Sequence, residues 1–179
     1  MKIGIAGGGI AGSYLAFSLS KNHVVEVYEE KTRERVGEDC ACGTSMRTLE
    51  KYASLLNRAP SDYVRHTCSE FLSKVFENRD AVTFNKNKLI LDFLEKSEAD
   101  VNFKQKVERE NLRGFDLVID ATGCCRSLLP PPRNELERNW VCPCFQADVI
   151  SEELPKDFYF DLKKWVSSGY SLKERIEQK

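Results

Sequence analysis

Lys2-Ile3-Gly4-Ile5-Ala6-Gly7-Gly8-Gly9-Ile10-Ala11-Gly12 decides how this chain is read. Residues 2–6 form a short apolar run bounded by glycine, the pattern of a buried parallel strand. Residues 10–21 carry Ile10, Tyr14, Leu15, Phe17 and Leu19 at helical spacing, ending near Lys21-Asn22. Val24-Val25-Glu26-Val27-Tyr28 is a second strand. Strand, turn, helix and strand in so short a span predict a right-handed β-α-β crossover and a parallel sheet.

The turn has its own chemistry. Gly7, Gly9 and Gly12 stand in the spacing G-x-G-x-x-G between strand and helix. Gly7 permits the tight bend, and the missing side chain at Gly9 lets the backbone approach a diphosphate. Gly12 lets the helix pack against the strand, and the helix N-terminus offers free N–H groups to anionic oxygens. Ala16, four residues on, keeps that packing close. Glu29 lies 17 residues beyond Gly12, at the end of the second strand. An acid near that position accepts hydrogen bonds from the ribose hydroxyls of a dinucleotide and repels a 2′-phosphate. The alternative is a solvated carboxylate, because Glu26 and Glu30 are close by.

Outward from this core, residues 30–43 read as a polar loop. A helix is expected from Thr44 or Ser45 to Leu56, with Met46, Leu49, Ala53 and Leu56 on one face. Short apolar runs between Tyr63 and Phe84 predict two to four antiparallel strands, an insertion at about 62–86. Lys88–Ala99 is expected to be helical, Val101–Val107 a half-exposed strand, and Leu117–Asp120 a further buried strand leading into Ala121-Thr122-Gly123. Pro130-Pro131-Pro132 stops both helix and sheet. The expected division is therefore a nucleotide-binding domain over 1–129 and the start of a second domain over 133–179.

The whole chain has 179 residues with 27 basic and 28 acidic side chains, 41% hydrophobic and 31% charged. These values describe a globular protein. A net charge of −1 argues against a broad nucleic-acid surface, which needs an excess of Lys and Arg. No secretory signal or membrane span is read from the sequence, and seven cysteines without an export signal are expected as reduced thiols, so the expected location is cytoplasmic. Cys40 with Cys42 and Cys142 with Cys144 lack the commoner zinc spacing, and there are only two histidines, so no metal is expected. Cys124 and Cys125 are expected as small buried residues following a strand. Lys163-Lys164-Trp165 offers a peripheral membrane contact, or an ordinary solvated stretch.

Gly7–Gly12, Glu29, the Gly37…Cys40-Ala41-Cys42-Gly43 loop and Asp120-Ala121-Thr122-Gly123 occur in this order. Together they resemble the geranylgeranyl reductase family of flavoproteins, especially the digeranylgeranylglycerophospholipid reductases, within the p-hydroxybenzoate hydroxylase-like fold group. The resemblance covers residues 1–127 and implies an α/β, Rossmann-like FAD/NAD(P)-binding domain with an antiparallel insertion and an incomplete substrate domain. The Asp120–Gly123 segment is similar to the second nucleotide-contact strand of such proteins, which favours FAD over NAD. By position, Ala11 would lie at the pyrophosphate, Glu29 at the adenine ribose, and Cys40, Ala41 and Gly43 near the flavin. Val107 would flank the adenine through its backbone, and Gly123, among the small residues at the strand's end, would leave room for a ligand crossing the sheet edge.

The family reduces double bonds of geranylgeranyl chains with reduced FAD, drawing electrons from NAD(P)H or ferredoxin. The resemblance therefore implies an isoprenoid lipid substrate. The chain departs from the family pattern in having no arginine along Leu91-Asp92-Phe93-Leu94, Leu172 in place of a tryptophan, and no later Gly-Asp flavin-contact turn. These departures give the expectation of a C-terminally truncated chain. Two other readings stand beside the first: a flavin monooxygenase on the same fold, and a non-catalytic remnant that binds nucleotide weakly or only a protein partner.

Overall fold

The computed structural model describes residues 1–38, 42–67 and 80–130. In chain order the regular elements are β1 (Lys2–Ala6), α1 (Ile10–Leu19), β2 (Val24–Glu29), β3 (Gly43–Ser45), α2 (Met46–Leu55), β4 (Val64–Thr67), β5 (Ala81–Phe84), α3 (Lys86–Lys96), β6 (Asp100–Phe103) and β7 (Leu117–Asp120). The described residues form two compact units, 1–38 with 86–130, and 42–67 with 80–85.

The larger unit is α/β and of Rossmann type. Its four strands are parallel and ordered β6-β2-β1-β7. From β1 the chain adds β2 and β6 on one side and β7 on the other, so the strand order reverses between β1 and β7. In doubly wound sheets, ligands bind at such a switch point, outside the carboxyl ends of the strands. β1 has neighbours on both edges, and Ile3 and Ile5 are fully buried, as its unbroken apolar run requires.

Strand alternation sorts the two faces. Ile3, Ile5, Val25 and Val27 form one core cluster with Ala16, Val36, Ile90 and Leu94. α1 and α3 lie against each other on that face. The Phe93 ring meets Tyr14 edge-on at 5.7 Å and Phe17 at 5.4 Å, contacts worth about 0.5–1.5 kcal/mol each beyond the area they bury. On the other face, Ala6, Val107 and Leu112 make a smaller cluster, flanked by Tyr28, Phe115 and Leu128. A Cβ on Gly4 would sit 3.1 Å from the Phe115 ring, so the strand is bare there to admit that ring.

Two expectations are corrected here. Residues 101–107 do not continue as a strand: β6 stops at Phe103, which pairs with Glu29, the last residue of β2. Beyond the end of β2 the chain turns at Lys104 (φ +59°), whose amide donates to Lys31 O, while Gln105 N donates to Glu29 O. β7 is the outer strand of the described sheet, and Leu117 and Val118 are 43% and 37% exposed where burial was expected.

The smaller unit is an antiparallel sheet ordered β3-β5-β4, with α2 over it. Ser45 caps α2, its hydroxyl accepting from Thr48 N at 3.1 Å. Leu49, Ala53, Leu56, Tyr63, Val82 and Phe84 are its buried apolar residues. The sheet thus draws Gly43–Ser45 in from outside the expected 62–86 window. Residues 68–79 and the expected second domain at 133–179 lie outside the described residues. Among the described residues, no helix is long and apolar enough to cross a membrane.

The chain leaves and re-enters the larger unit at one place. The Asn87 side-chain amide reaches the carbonyls of Arg33 (3.0 Å), Glu34 (3.2 Å) and Val36 (2.9 Å). Gly37 adopts φ +88°, and a Cβ there would press within 2.8 Å of Ile90. The start of α3 and the segment following β2 are held together by these contacts.

Candidate dinucleotide site

The turn between β1 and α1 is built from close approaches that only glycine allows. Gly7 has φ +95°, and a Cβ there would lie 2.4 Å from Ala121 O, in the segment leaving β7. A Cβ on Gly12 would lie 1.8 Å from Gly7 O, so the first turn of α1 rests directly on the bend. Gly9 differs: it precedes the helix in extended conformation, and a Cβ there would meet nothing within 4 Å. Among the described residues, the space before the helix is open at that point. α1 has no side-chain cap and no acid in its first turn. The N–H groups of Ile10, Ala11 and Gly12 therefore have no partner within the helix and carry the positive end of its dipole.

Glu29 closes the site from the next strand. Its side chain is 6% exposed. Oε2 accepts from Gly8 N at 2.7 Å, and Oε1 accepts from Lys31 N at 2.9 Å. A carboxylate has about four lone-pair positions. Among the described residues these two amides use two of them, which leaves the others for hydroxyl donors. The acid is thus on the same side of the sheet as the glycine bend and bonded to it.

The second wall comes from β7. Ala121 N donates to Ala6 O at 2.8 Å, carrying the sheet one residue past β7 and bringing this segment against Gly7. The Asp120 carboxylate holds the turn that follows. Oδ1 accepts from Thr122 N (3.0 Å) and Thr122 Oγ1 (2.6 Å), and Oδ2 from Leu128 N (2.9 Å). Burial alone would raise this carboxyl, but hydrogen bonds from the Thr122 side chain and from the Thr122, Leu128 and Leu129 amides outweigh it and hold it below its ordinary value. Gly123 follows with φ +67°.

Gly7, Gly9, Ala11, Gly12, Glu29 and Gly123 are therefore at the carboxyl ends of neighbouring strands. Val107 is buried against Ala6, the residue before the bend. Gly43 is in the smaller unit, at the start of β3, and Cys40 and Ala41 lie outside the described residues. Cys124 and Cys125 are exposed, against expectation, because they occupy a short surface turn beyond β7. The sequence motifs include Gly8, Asp120 and Thr122 but give none of the three a role of its own. Gly8 occupies a variable position of the glycine pattern, yet a Cβ there would lie 3.1 Å from the Glu29 Cβ. Asp-x-Thr is an Asx-turn spacing and was the available signal for the other two.

A cleft of about 480 Å³ opens beside β7, lined by Arg109, Leu112, Arg113, Val118, Leu128 and Leu129 among others. It contains none of the glycine-turn residues. No group of three His, Cys, Asp or Glu side chains is placed to hold a metal among the described residues.

No family model matches the chain. No curated protein matches it. Solved structures do. A geranylgeranyl bacteriochlorophyll reductase-like protein from Thermoplasma acidophilum matches with TM-score 0.44 and 17% identity over 57% of this chain. The p-nitrophenol 4-monooxygenase PnpA from Pseudomonas putida matches with TM-score 0.42 and 16% identity over 59% of it. The flavin-dependent halogenase CmlS matches with TM-score 0.42 and 22% identity, also over 59%. These matches span 30%, 32% and 23% of those proteins' own lengths.

Proposed function

We propose that this chain binds the ADP portion of FAD at the β1–α1 turn and belongs to a flavin-dependent oxidoreductase. The observation that carries the reading is the bond from Gly8 N to Glu29 Oε2. It joins a bend with open space at Gly9 to a carboxylate that keeps acceptor capacity, at the switch point of a parallel sheet. The helix N–H groups of Ile10, Ala11 and Gly12 face a diphosphate, and Glu29 accepts from the ribose hydroxyls. In this reading the Val107 backbone flanks the adenine, and the motif resemblance assigns flavin contacts to Cys40, Ala41 and Gly43.

When bound and reduced, the flavin supplies the hydride for an isoprenoid double bond, the substrate class favoured by the motif resemblance. The chain's own residues bind and orient. The electron donor in this reading is NAD(P)H or ferredoxin, and the substrate is a geranylgeranyl lipid taken at a membrane surface by a cytoplasmic enzyme.

The test is direct. The purified 179-residue chain is mixed with FAD, desalted, and examined for the visible absorbance of bound flavin, with ADP affinity measured by calorimetry. Retained flavin in the wild type, lost in Gly9→Val, supports the site. A folded wild type that binds neither FAD nor ADP overturns it. Anaerobic reduction of a polyprenyl lipid by the loaded protein separates the reductase reading from hydroxylation of an aromatic compound.

A further inference from the structure

The segment after β7 needs an explanation for its shape. Residues 121–130 contain no regular element longer than the three-residue turn Gly123–Cys125, and β7 is the outer strand of the described sheet. Yet the start of this segment lies against the glycine bend so closely that Gly7 cannot carry a Cβ. Two side chains fix it. Asp120 accepts from Thr122 N, Thr122 Oγ1 and Leu128 N. The Thr122 hydroxyl, while donating to Asp120, accepts from Ser127 N at 2.9 Å. The segment from 120 to 128 is thereby closed into a ring with Thr122 Oγ1 at its hub. Ala121 N, bonded to Ala6 O, ties this ring to β1 one residue before the bend.

We infer that Asp120 and Thr122 form a positioning clasp that shapes the Ala121–Gly123 wall for the ADP portion of the dinucleotide. The inference rests on the nucleotide reading of the same site and adds residues to it. Neither residue is asked to touch the ligand. Removing the Thr122 hydroxyl takes a donor from Asp120 and an acceptor from Ser127 N, so the wall keeps its tie to Ala6 at Ala121 but loses the bonds that fix Thr122 and Gly123 beyond it.

ADP is the probe, titrated by calorimetry into the full chain and into Thr122→Val, Thr122→Ser and Asp120→Asn. Thr122→Val keeps the side-chain shape without the hydroxyl, and Thr122→Ser keeps the hydroxyl. The expected result is ADP affinity about tenfold weaker in Thr122→Val and Asp120→Asn, near wild type in Thr122→Ser, all measured well below the melting temperature of each protein. Should Thr122→Val not fold, Thr122→Ala replaces it in the same comparison. Wild-type ADP affinity in Thr122→Val, or failure of Thr122→Ser to restore it, overturns the clasp and leaves the nucleotide site standing. Absence of ADP binding to the folded wild type overturns both.

Discussion

The Gly8 amide donates to Glu29 Oε2 at 2.7 Å, inside the protein and across 21 positions of sequence. The glycine bend and the Glu29 carboxylate, to which the proposed function gives the diphosphate and the sugar, are therefore one bonded unit. Changing either disturbs the other.

Glu29→Ala leaves the Gly8 and Lys31 amides without the acceptors they have now. Gly8 is buried, so its N–H cannot turn to water without moving the bend. A loss of about 1–3 kcal/mol is expected from urea denaturation. ADP binding is expected to disappear in the same variant. A Glu29→Ala protein as stable as wild type would show that the bond contributes nothing.

Gly9 and Gly12 make opposite predictions. A Cβ on Gly12 meets the backbone of Gly7 at 1.8 Å, and backbone cannot step aside as a flexible side chain does. Gly12→Ala is expected to cost upwards of about 2 kcal/mol, read as a lowered thermal midpoint by circular dichroism. Gly9→Ala meets nothing within 4 Å at a φ of −63° that alanine accepts. Its stability is expected within about 0.5 kcal/mol of wild type, while its affinity for ADP falls.

The β1–α1–β2 region was legible because its information is local: an apolar run, glycines and a helical period within thirty residues. What escaped depended on partners distant in sequence. β3 is Gly43-Thr44-Ser45, with no apolar signature, and it exists because β5, nearly forty residues on, pairs with it. The alternation over 101–107 looked like a strand to its end, but a strand is only as long as its neighbour, and β2 ends at Glu29. The site divided in the same way. The spacing of Gly7, Gly9, Gly12 and Glu29 was readable, whereas the hold of Asp120 on Leu128 is a folded-state contact. Cys124 and Cys125 were misplaced because an apolar strand before them says nothing about the surface turn they enter.

Acid unfolding should report Asp120. Its folded carboxyl is held below the ordinary 3.8 because the hydrogen bonds from Thr122, Leu128 and Leu129 outweigh its burial. A depressed carboxyl stabilises the fold fully above its unfolded value, and that contribution is lost as pH falls through the folded value. Asp120→Asn should flatten the dependence of stability on pH below 3.8. An unchanged slope in urea midpoints across that range would count against it.

Tyr28 sets the alkaline counterpart. Burial raises its phenol to about 12, helped by the hydrogen bond to Glu26 Oε2 at 2.6 Å and by the charges of Glu26 and Asp100. A raised value contributes stability that is whole below about 10 and is lost as pH climbs toward 12. Ultraviolet titration should show a late-ionising tyrosine that disappears in Tyr28→Phe. Glu26→Gln should bring it back toward the ordinary range.

Asn87 has an architectural consequence. By bridging the carbonyls of Arg33, Glu34 and Val36, it makes the exit and return points of the polypeptide a single doorway into the parallel-sheet unit. Whatever is threaded through that doorway behaves as an exchangeable cassette. A variant with a short glycine-serine bridge in place of residues 39–85 is expected to keep the parallel sheet that carries Gly7 and Glu29, as read by circular dichroism.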